Sequence, residues 1–364
     1  MKFSCNKESL AQACVNVSRA VISKSTLGAL EGILIQAHDG KLSLSGYDLE
    51  FSITTCIDAQ IEVPGEIVLN SRLFTDMVKK IPTETVTVSI DDKHLANVTG
   101  GSVSYTILGT PSEEFPEIPT VESDDIIRLP NAVFKDMVDH TIFAVSLNDV
   151  RPTHMGSLFE FKNGLLTVVS VDGYRLAIRR EPLNIPFETS FIIPAKTLKE
   201  VTALFGEEGT CEIHAVKRRI TFDNGTYTVY SRLIDGDFLE YEDTLPKNEK
   251  TLLKIEKREL LSGLDRVSLM ISDRMKYPIH FTLNEMTMEI RCDTPLGKAS
   301  DVNYCPFEGE SIRLGFNSGY MIDALRACDC DKIKVRFNGP LSPIVIEPEE
   351  GNKFLYLVLP VRIK

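Results

Sequence analysis

Apolar and polar residues alternate along this chain in two rhythms, one of period two and one of helical spacing, and their order recurs three times. Met1–Phe3 leads into a helical pattern over Glu8–Ile22, Ile126–Leu129 into Ala132–Ser146, and Leu252–Ile255 into Arg258–Ile271. The starts lie about 125 residues apart. Each helical stretch is followed by an alternating hairpin: Gly32–Ala37 and Lys41–Ser45 around Asp39-Gly40, Ser157–Phe161 and Leu165–Ser170 around Asn163-Gly164, Ile279–Leu283 and Met286–Arg291 around Asn284-Glu285. Asp-Gly and Asn-Gly between alternating strands signal two-residue turns, because both turn positions need positive φ.

Each repeat divides again. A second strand–helix pattern runs from Glu66–Asn70 into Arg72–Lys80, from Phe191–Pro194 into Lys196–Phe205, and from Ile312–Phe316 into Tyr320–Cys328. Further alternating runs follow at Val86–Ile90, Cys211–Ala215 and Ile333–Phe337. The chain thus reads as six β-α-β-β-β units paired into three similar domains, expected at 1–122, 123–248 and 249–364. Acidic and proline-bearing stretches, Glu113–Glu122 and Pro246–Lys250, fall at the expected joins. One helix per set of period-two strands predicts an α+β fold with antiparallel sheets covered by helices on one face. The words Gly46-Tyr47-Asp48-Leu49 and Gly173-Tyr174-Arg175-Leu176 are read as equivalent positions of the first two repeats.

Charge changes the picture only through its distribution. A net charge of −12 argues against a conventional nucleic-acid binder, whose affinity rests on cations neutralising phosphates. Yet the six helical stretches (7–24, 71–81, 131–147, 195–205, 257–274, 318–329) hold 14 Lys/Arg against 10 Asp/Glu. The acid lies in strands and loops. Helices of this kind form a weakly positive surface, able to touch a polyanion without gripping it.

Chemistry-bearing motifs are sparse. Eight cysteines show no framework spacing, and Cys328-Asp329-Cys330 is not C-x-x-C, so free thiols in a reducing compartment are expected. The six histidines form no H-x-x-x-H, and neither metal nor cofactor is expected. The apolar runs are too short for a membrane span, and the N-terminus turns polar at once, so a cytoplasmic location without membrane contact is expected. An enzyme is one alternative, with Asp48, Asp172 and Asp293 as conceivable acids. Each follows a strand, where acids are commonly turn formers. A repeat-built binding protein with no role on DNA is the other.

Several words carry a specific resemblance: Phe115-Pro116, Asp149-Val150-Arg151, Asp172–Ala177, Leu245-Pro246-Lys247, Gly315-Phe316-Asn317 with Tyr320, and the terminal Tyr356–Arg362. In this order, end to end, the chain resembles the bacterial DNA polymerase III beta subunits, the sliding clamps. The resemblance implies a head-to-tail homodimer closed as a ring around duplex DNA, helices lining the hole and sheets outside. Twelve helices side by side at ~9 Å make a circle ~34 Å across and leave a hole of ~24 Å, whereas six leave almost none.

That family holds polymerase to its template by encirclement rather than by catalysis. The implied partners are double-stranded DNA without regard to sequence, DNA polymerase III and other polymerases, the clamp loader, and mismatch-repair and ligase-type proteins. Lys24, Arg72, Arg151 and Lys196 match DNA-facing positions; Lys79, Lys80 and Lys199 join them on charge and helix placement. Tyr105 and Ile107 on one subunit and Leu269 and Met270 on the other match the subunit contact. Partners are expected to insert a short peptide into an apolar groove. Its matched positions begin with His154, Val171, Gly173, Tyr174, Arg175, Leu176, Leu239, Thr244 and Met275. They continue with Asn317, Tyr320, Leu341, Pro343, Leu357, Val358, Leu359, Pro360, Val361 and Arg362. Aliphatic walls supply burial, and Arg175, Asn317 and Arg362 could hold the peptide backbone. Here Asp243 stands where the family can carry a basic residue, Leu239 replaces a Pro, and His154 and Met275 replace a Leu and a Phe. The resemblance therefore leaves the preferred peptide open.

Overall fold

A computed structural model describes residues 1–121, 123–148, 150–271 and 277–363. Among these residues the six α-helices are α1 (Lys7–Val17), α2 (Ser71–Lys80), α3 (Asn131–Asp139), α4 (Ala195–Phe205), α5 (Lys257–Ser268) and α6 (Ser318–Ala327). Three begin on an asparagine directly after a strand. The Oδ1 atoms of Asn6, Asn70 and Asn317 accept from the backbone N–H of Ser9, Leu73 and Tyr320. Such caps satisfy an otherwise orphaned donor and contribute about 1 kcal/mol each. The helices turn apolar stripes inward, as with Phe74 and Val78 of α2 or Leu260, Leu264 and Val267 of α5.

Three helical patterns overran. The stretch expected over 7–24 ends as α-helix at Val17, followed by a 3-10 turn, Ser18–Ala20. The stretch expected over 131–147 ends as α-helix at Asp139, where Thr141 Oγ1 donates to the Met137 carbonyl at 2.7 Å and a short 3-10 turn, Ile142–Ala144, follows. That expected over 257–274 ends at Ser268, and residues 272–274 lie outside the described residues.

The chain forms two compact units, Met1–Phe134 with Lys196–Leu233, and Lys135–Ala195 with Ile234–Lys364. This division cuts the middle repeat in two, because sheets run on across the joins between repeats. In the first unit an eight-stranded antiparallel sheet is continuous where Tyr227–Arg232 pairs with Phe51–Asp58, Val229 opposite Ile53. In the second a nine-stranded sheet is continuous where Arg175–Pro182 pairs with Phe354–Val358, Leu176 opposite Leu357. Each unit also carries a sheet that does not continue, five-stranded in the first and four-stranded in the second. The five-stranded sheet ends on Val103–Leu108 and the four-stranded sheet on Gly297–Tyr304.

The turns follow the chemistry expected of them, with two corrections. Asp39-Gly40 and Asn163-Gly164 have positive φ throughout, but the third hairpin turns on Glu285 and Met286, both at positive φ without a glycine. The shared word of the first two repeats is also out of register. Gly46 lies within a strand, whereas Gly173 sits in a turn at φ 87°. The true counterpart of Gly173 is Leu49, at φ 76°. Asp48 Oδ1 accepts from the N–H groups of Glu50 and Phe51, and Asp172 Oδ1 from those of Tyr174 and Arg175. Both acids are turn formers.

Candidate functional site

The join inside the nine-stranded sheet positions most of the expected groove. Strand periodicity sends Leu176 and Leu357 to one face, where they pack with Val171, Ile178, Val345 and Leu355 beneath partly buried Leu239. Val358, one residue on, points the opposite way and is buried with Ala177 and Tyr356 in the other core, so its side chain is not a groove wall. Val171, Leu176 and Leu357 are themselves 3–5% exposed and form a floor rather than a lip.

The lip comes from the Asp172–Arg175 turn and the C-terminal tail. Tyr174 is 61% exposed and stacks on Tyr320 at 6.0 Å between ring centroids. Arg175 lies 4.6 Å from the Tyr320 ring and 5.5 Å from Phe143, with Asp172 and Asp323 as ion-pair partners. It thus braces the turn onto α6 and is not an idle donor. The tail is tied down twice: Leu359 N–H donates to the Tyr174 carbonyl at 2.9 Å, and Val361 N–H to the Gly315 carbonyl at 2.7 Å. A Cβ on Gly315 would come within 2.4 Å of Ile363 Cγ2, so the tail can lie close only because this residue is glycine. Leu359 and Val361 keep partly exposed side chains, Pro360 is half-buried, and Arg362 is exposed.

Together Gly173, Tyr174, Arg175 and Tyr320 line a cavity of about 830 Å³ with His154, Asp172 and, from the preceding loop, residues 145–148, Val150 and Arg151. Arg151, matched to a DNA-facing position, stands on the rim of this cavity and on no helix. Leu147 and Val150 are 92% and 78% exposed there. Neither was among the expected groove positions, although Val150 belongs to a word that carries the resemblance; the available signal was exposed aliphatics in a polar stretch.

The remaining positions are more dispersed. The Oδ1 of Asn317 is committed to capping α6, and Thr244 Oγ1 donates to the Tyr241 carbonyl. Leu341 (67% exposed) and Pro343 precede the Ile344–Pro348 strand. Met275 lies outside the described residues.

In the first unit Lys24, Arg72, Lys79, Lys80, Lys196 and Lys199 are all exposed. Arg72 and Lys79 border a cavity of about 460 Å³ between α1 and α2. Lys196 is not a free cation: Asp48 Oδ2 lies 2.6 Å from its Nζ, and the Phe51 ring 5.1 Å away.

At the two free sheet edges the apolar surface differs from expectation. Ile107 is only 7% exposed and faces its own core. Its neighbour Leu108 is 71% exposed, beside Leu95 directly across the ladder, and Tyr105 is half-buried. On the other edge Val302 and Tyr304 are 59% and 75% exposed, and Leu269, just past α5, 81%. Met270 packs partly against the core.

All eight cysteines are free. Asp136, His140 and Asp329 bring possible ligand atoms within 4.8 Å of one another, but Arg179 and Lys353 already occupy both carboxylates.

Three successive segments, 1–119, 128–240 and 242–362, match the N-terminal, central and C-terminal domains of the DNA polymerase III beta subunit. The beta sliding clamps of Halalkalibacterium halodurans and Bacillus subtilis are 31% and 30% identical to the chain, over the full length of both partners in each case. The chain belongs to this family. Solved structures agree over complete chains: a putative DNA polymerase III beta subunit from Eubacterium rectale (32% identity, TM-score 0.95) and the Bacillus subtilis DNA polymerase sliding clamp (29%, 0.97). Membership explains the fused antiparallel sheets. Among the described residues no helix is long and apolar enough to cross a membrane.

Proposed function

We propose that the chain works as a sliding clamp, two copies closing head to tail around duplex DNA and tethering the replicative polymerase, with no catalysis of its own. The observation that carries this reading is the pair of unfinished sheets. Joins within the chain build antiparallel sheets of eight and nine strands, while sheets of five and four strands stop at open edges. An open edge with exposed Leu108 or Tyr304 invites pairing. Laying the Val103–Leu108 edge of one copy against the Gly297–Tyr304 edge of the next completes a nine-stranded sheet like those already formed. The contact is heterologous, so it must close after a fixed number of copies or run on as a filament.

Exposed cations on α2 and α4 suit weak contacts with phosphates, which permit sliding where tight ones would anchor. The groove supplies docking for the polymerase and the clamp loader, and on the same logic for mismatch-repair and ligase-type proteins. A cytoplasmic location follows from work on the chromosome of a bacterial-type cell. The deciding experiment loads the protein onto nicked circular DNA and then linearises it. Retention on circles with rapid loss from linear ends supports encirclement. Equal retention on both would overturn it in favour of a binding protein that grips.

A further inference from the structure

The groove cavity contains a polar group that an apolar peptide anchor would leave unsatisfied. His154 is 6% exposed, held in the Pro152–Met155 turn with its ring 6.1 Å from that of Phe238. Among the described residues its ring meets no hydrogen-bond partner, and His154 is one of the residues that line the cavity. Arg151, exposed on the rim, has no ion-pair partner among the described residues either. The other charged residues described there are committed: both Asp172 oxygens accept bonds from the turn and Arg175, and Arg175 also holds Asp323. What remains on offer is one imidazole donor and one guanidinium, set among apolar walls.

We propose that His154 and Arg151 form a receptor for a carboxylate, so that this chain favours docking peptides with Asp or Glu beside their apolar anchors. This rests on the groove reading of the preceding section and adds a preference to it. Burial, then the Arg151 charge, hold the imidazole below its ordinary pKa against the opposite pull of Asp172, which favours a neutral ring at pH 7. A neutral imidazole donates one N–H. A charged acceptor makes the stronger partner for it, whereas an aliphatic side chain leaves the buried polar group unpaired.

The test uses labelled short peptides that share a pair of large apolar residues and differ at one neighbouring position, Glu, Gln or Leu. Against the wild-type protein the Glu peptide should bind about tenfold tighter than the Gln peptide. In His154→Leu that preference should fall below about twofold while the Leu peptide binds at least as well. His154→Gln, which keeps a donor, should retain part of it, and thermal melts of both variants establish that they fold. Equal binding of Glu and Gln peptides by the wild type, or a preference that survives His154→Leu, overturns the carboxylate receptor and leaves the groove standing. Failure of all three peptides to bind, or binding indifferent to Tyr174→Ala, removes the groove itself and the receptor with it.

Discussion

Arg179, fully buried, donates to Asp329 at 2.6 Å, joining a strand of the nine-stranded sheet to the residues just beyond α6. The same guanidinium holds Asp136 of α3 through two nitrogens, and Lys353 reaches Asp329 at 3.1 Å. A buried cation is tolerable only because two carboxylates neutralise it, so removing either partner is costly. Burial pushes the Asp329 carboxyl up, but bonds from Arg179 and Lys353 outweigh it and hold the group below the usual carboxylate range.

The acid limb of stability follows from that sign. A carboxyl depressed in the folded state stabilises above its unfolded pKa of about 3.9, and loses that contribution as pH falls towards the folded value. Thermal melts of the wild type should therefore change little between about pH 7 and 5 and fall steeply below about 4. Arg179→Ala should cost about 2–3 kcal/mol at neutral pH, since Asp136 and Asp329 would then face each other with only Lys353 beside them. An Arg179→Ala protein with wild-type stability at pH 7 would show that the cluster is not holding α3 and α6 to the sheet.

Subunit closure is tested at the open edges. The wild type should sediment near twice 40.7 kDa. Leu108→Asp or Tyr304→Asp should give monomers with an unchanged melting curve, because both side chains are exposed within the chain. Ile107→Asp is a poorer probe: it would bury a carboxylate in the core and unfold the sheet. A wild-type monomer at micromolar concentration would end the ring reading.

Electrostatic contact with DNA is expected to be shared and weak. Reversing Arg72, Lys79 and Lys80 together should slow loading at low salt and leave dimer mass alone. Reversing Lys196 should do less to DNA, because Asp48 already neutralises it, and should loosen the Asp48 turn instead. Retention on closed circles should depend on salt far less than the steep power law of a contact-dominated binder. Salt-driven loss from circles with intact rings would contradict this.

How much of this was legible from residues divides along physical lines. Helix starts were readable because the period changes there from two to helical spacing, and hairpins because Asp-Gly and Asn-Gly turns act locally. The third hairpin was misplaced by one residue because Glu285 and Met286 turn there without a glycine to mark the place. The register of Gly46 against Gly173 failed for a related reason: an Asp-led turn accepts Leu49 at positive φ as well as glycine, so matching letters misled where matching geometry would not. Of the groove, resemblance supplied positions but not directions. Leu357 and Val358 are adjacent letters on opposite faces, and Asn317 serves as a helix cap. Leu147 and Val150 stand out only once the chain has brought their loop to the cavity.

The final prediction concerns that lip. Affinity for a docking peptide should concentrate at a few anchors in contact with it, not in the floor that the protein needs for its own core. Leu176 belongs to the floor: at 3% exposure, paired opposite Leu357, its change to Asp would bury a charge and damage the join, so lost binding there could not be assigned to the groove. Tyr174 and Leu359 are the better probes, both exposed and linked by the Leu359 N–H bond to the Tyr174 carbonyl, a backbone bond that side-chain changes leave in place. Tyr174→Ala removes a ring stacked on Tyr320, and Leu359→Asp puts charge on an apolar wall. Each should weaken a polymerase-derived peptide by about 2 kcal/mol, roughly thirtyfold, while Leu341→Ala on its separate turn should cost less than about 1 kcal/mol. Truncation after Pro360 takes away the Val361 bond to Gly315 and should be at least as harmful as either substitution. Titrating the labelled peptide against the four variants, with sedimentation to confirm that dimers persist, decides the matter. Unchanged affinity in Tyr174→Ala, Leu359→Asp and the truncation would place docking elsewhere on the chain.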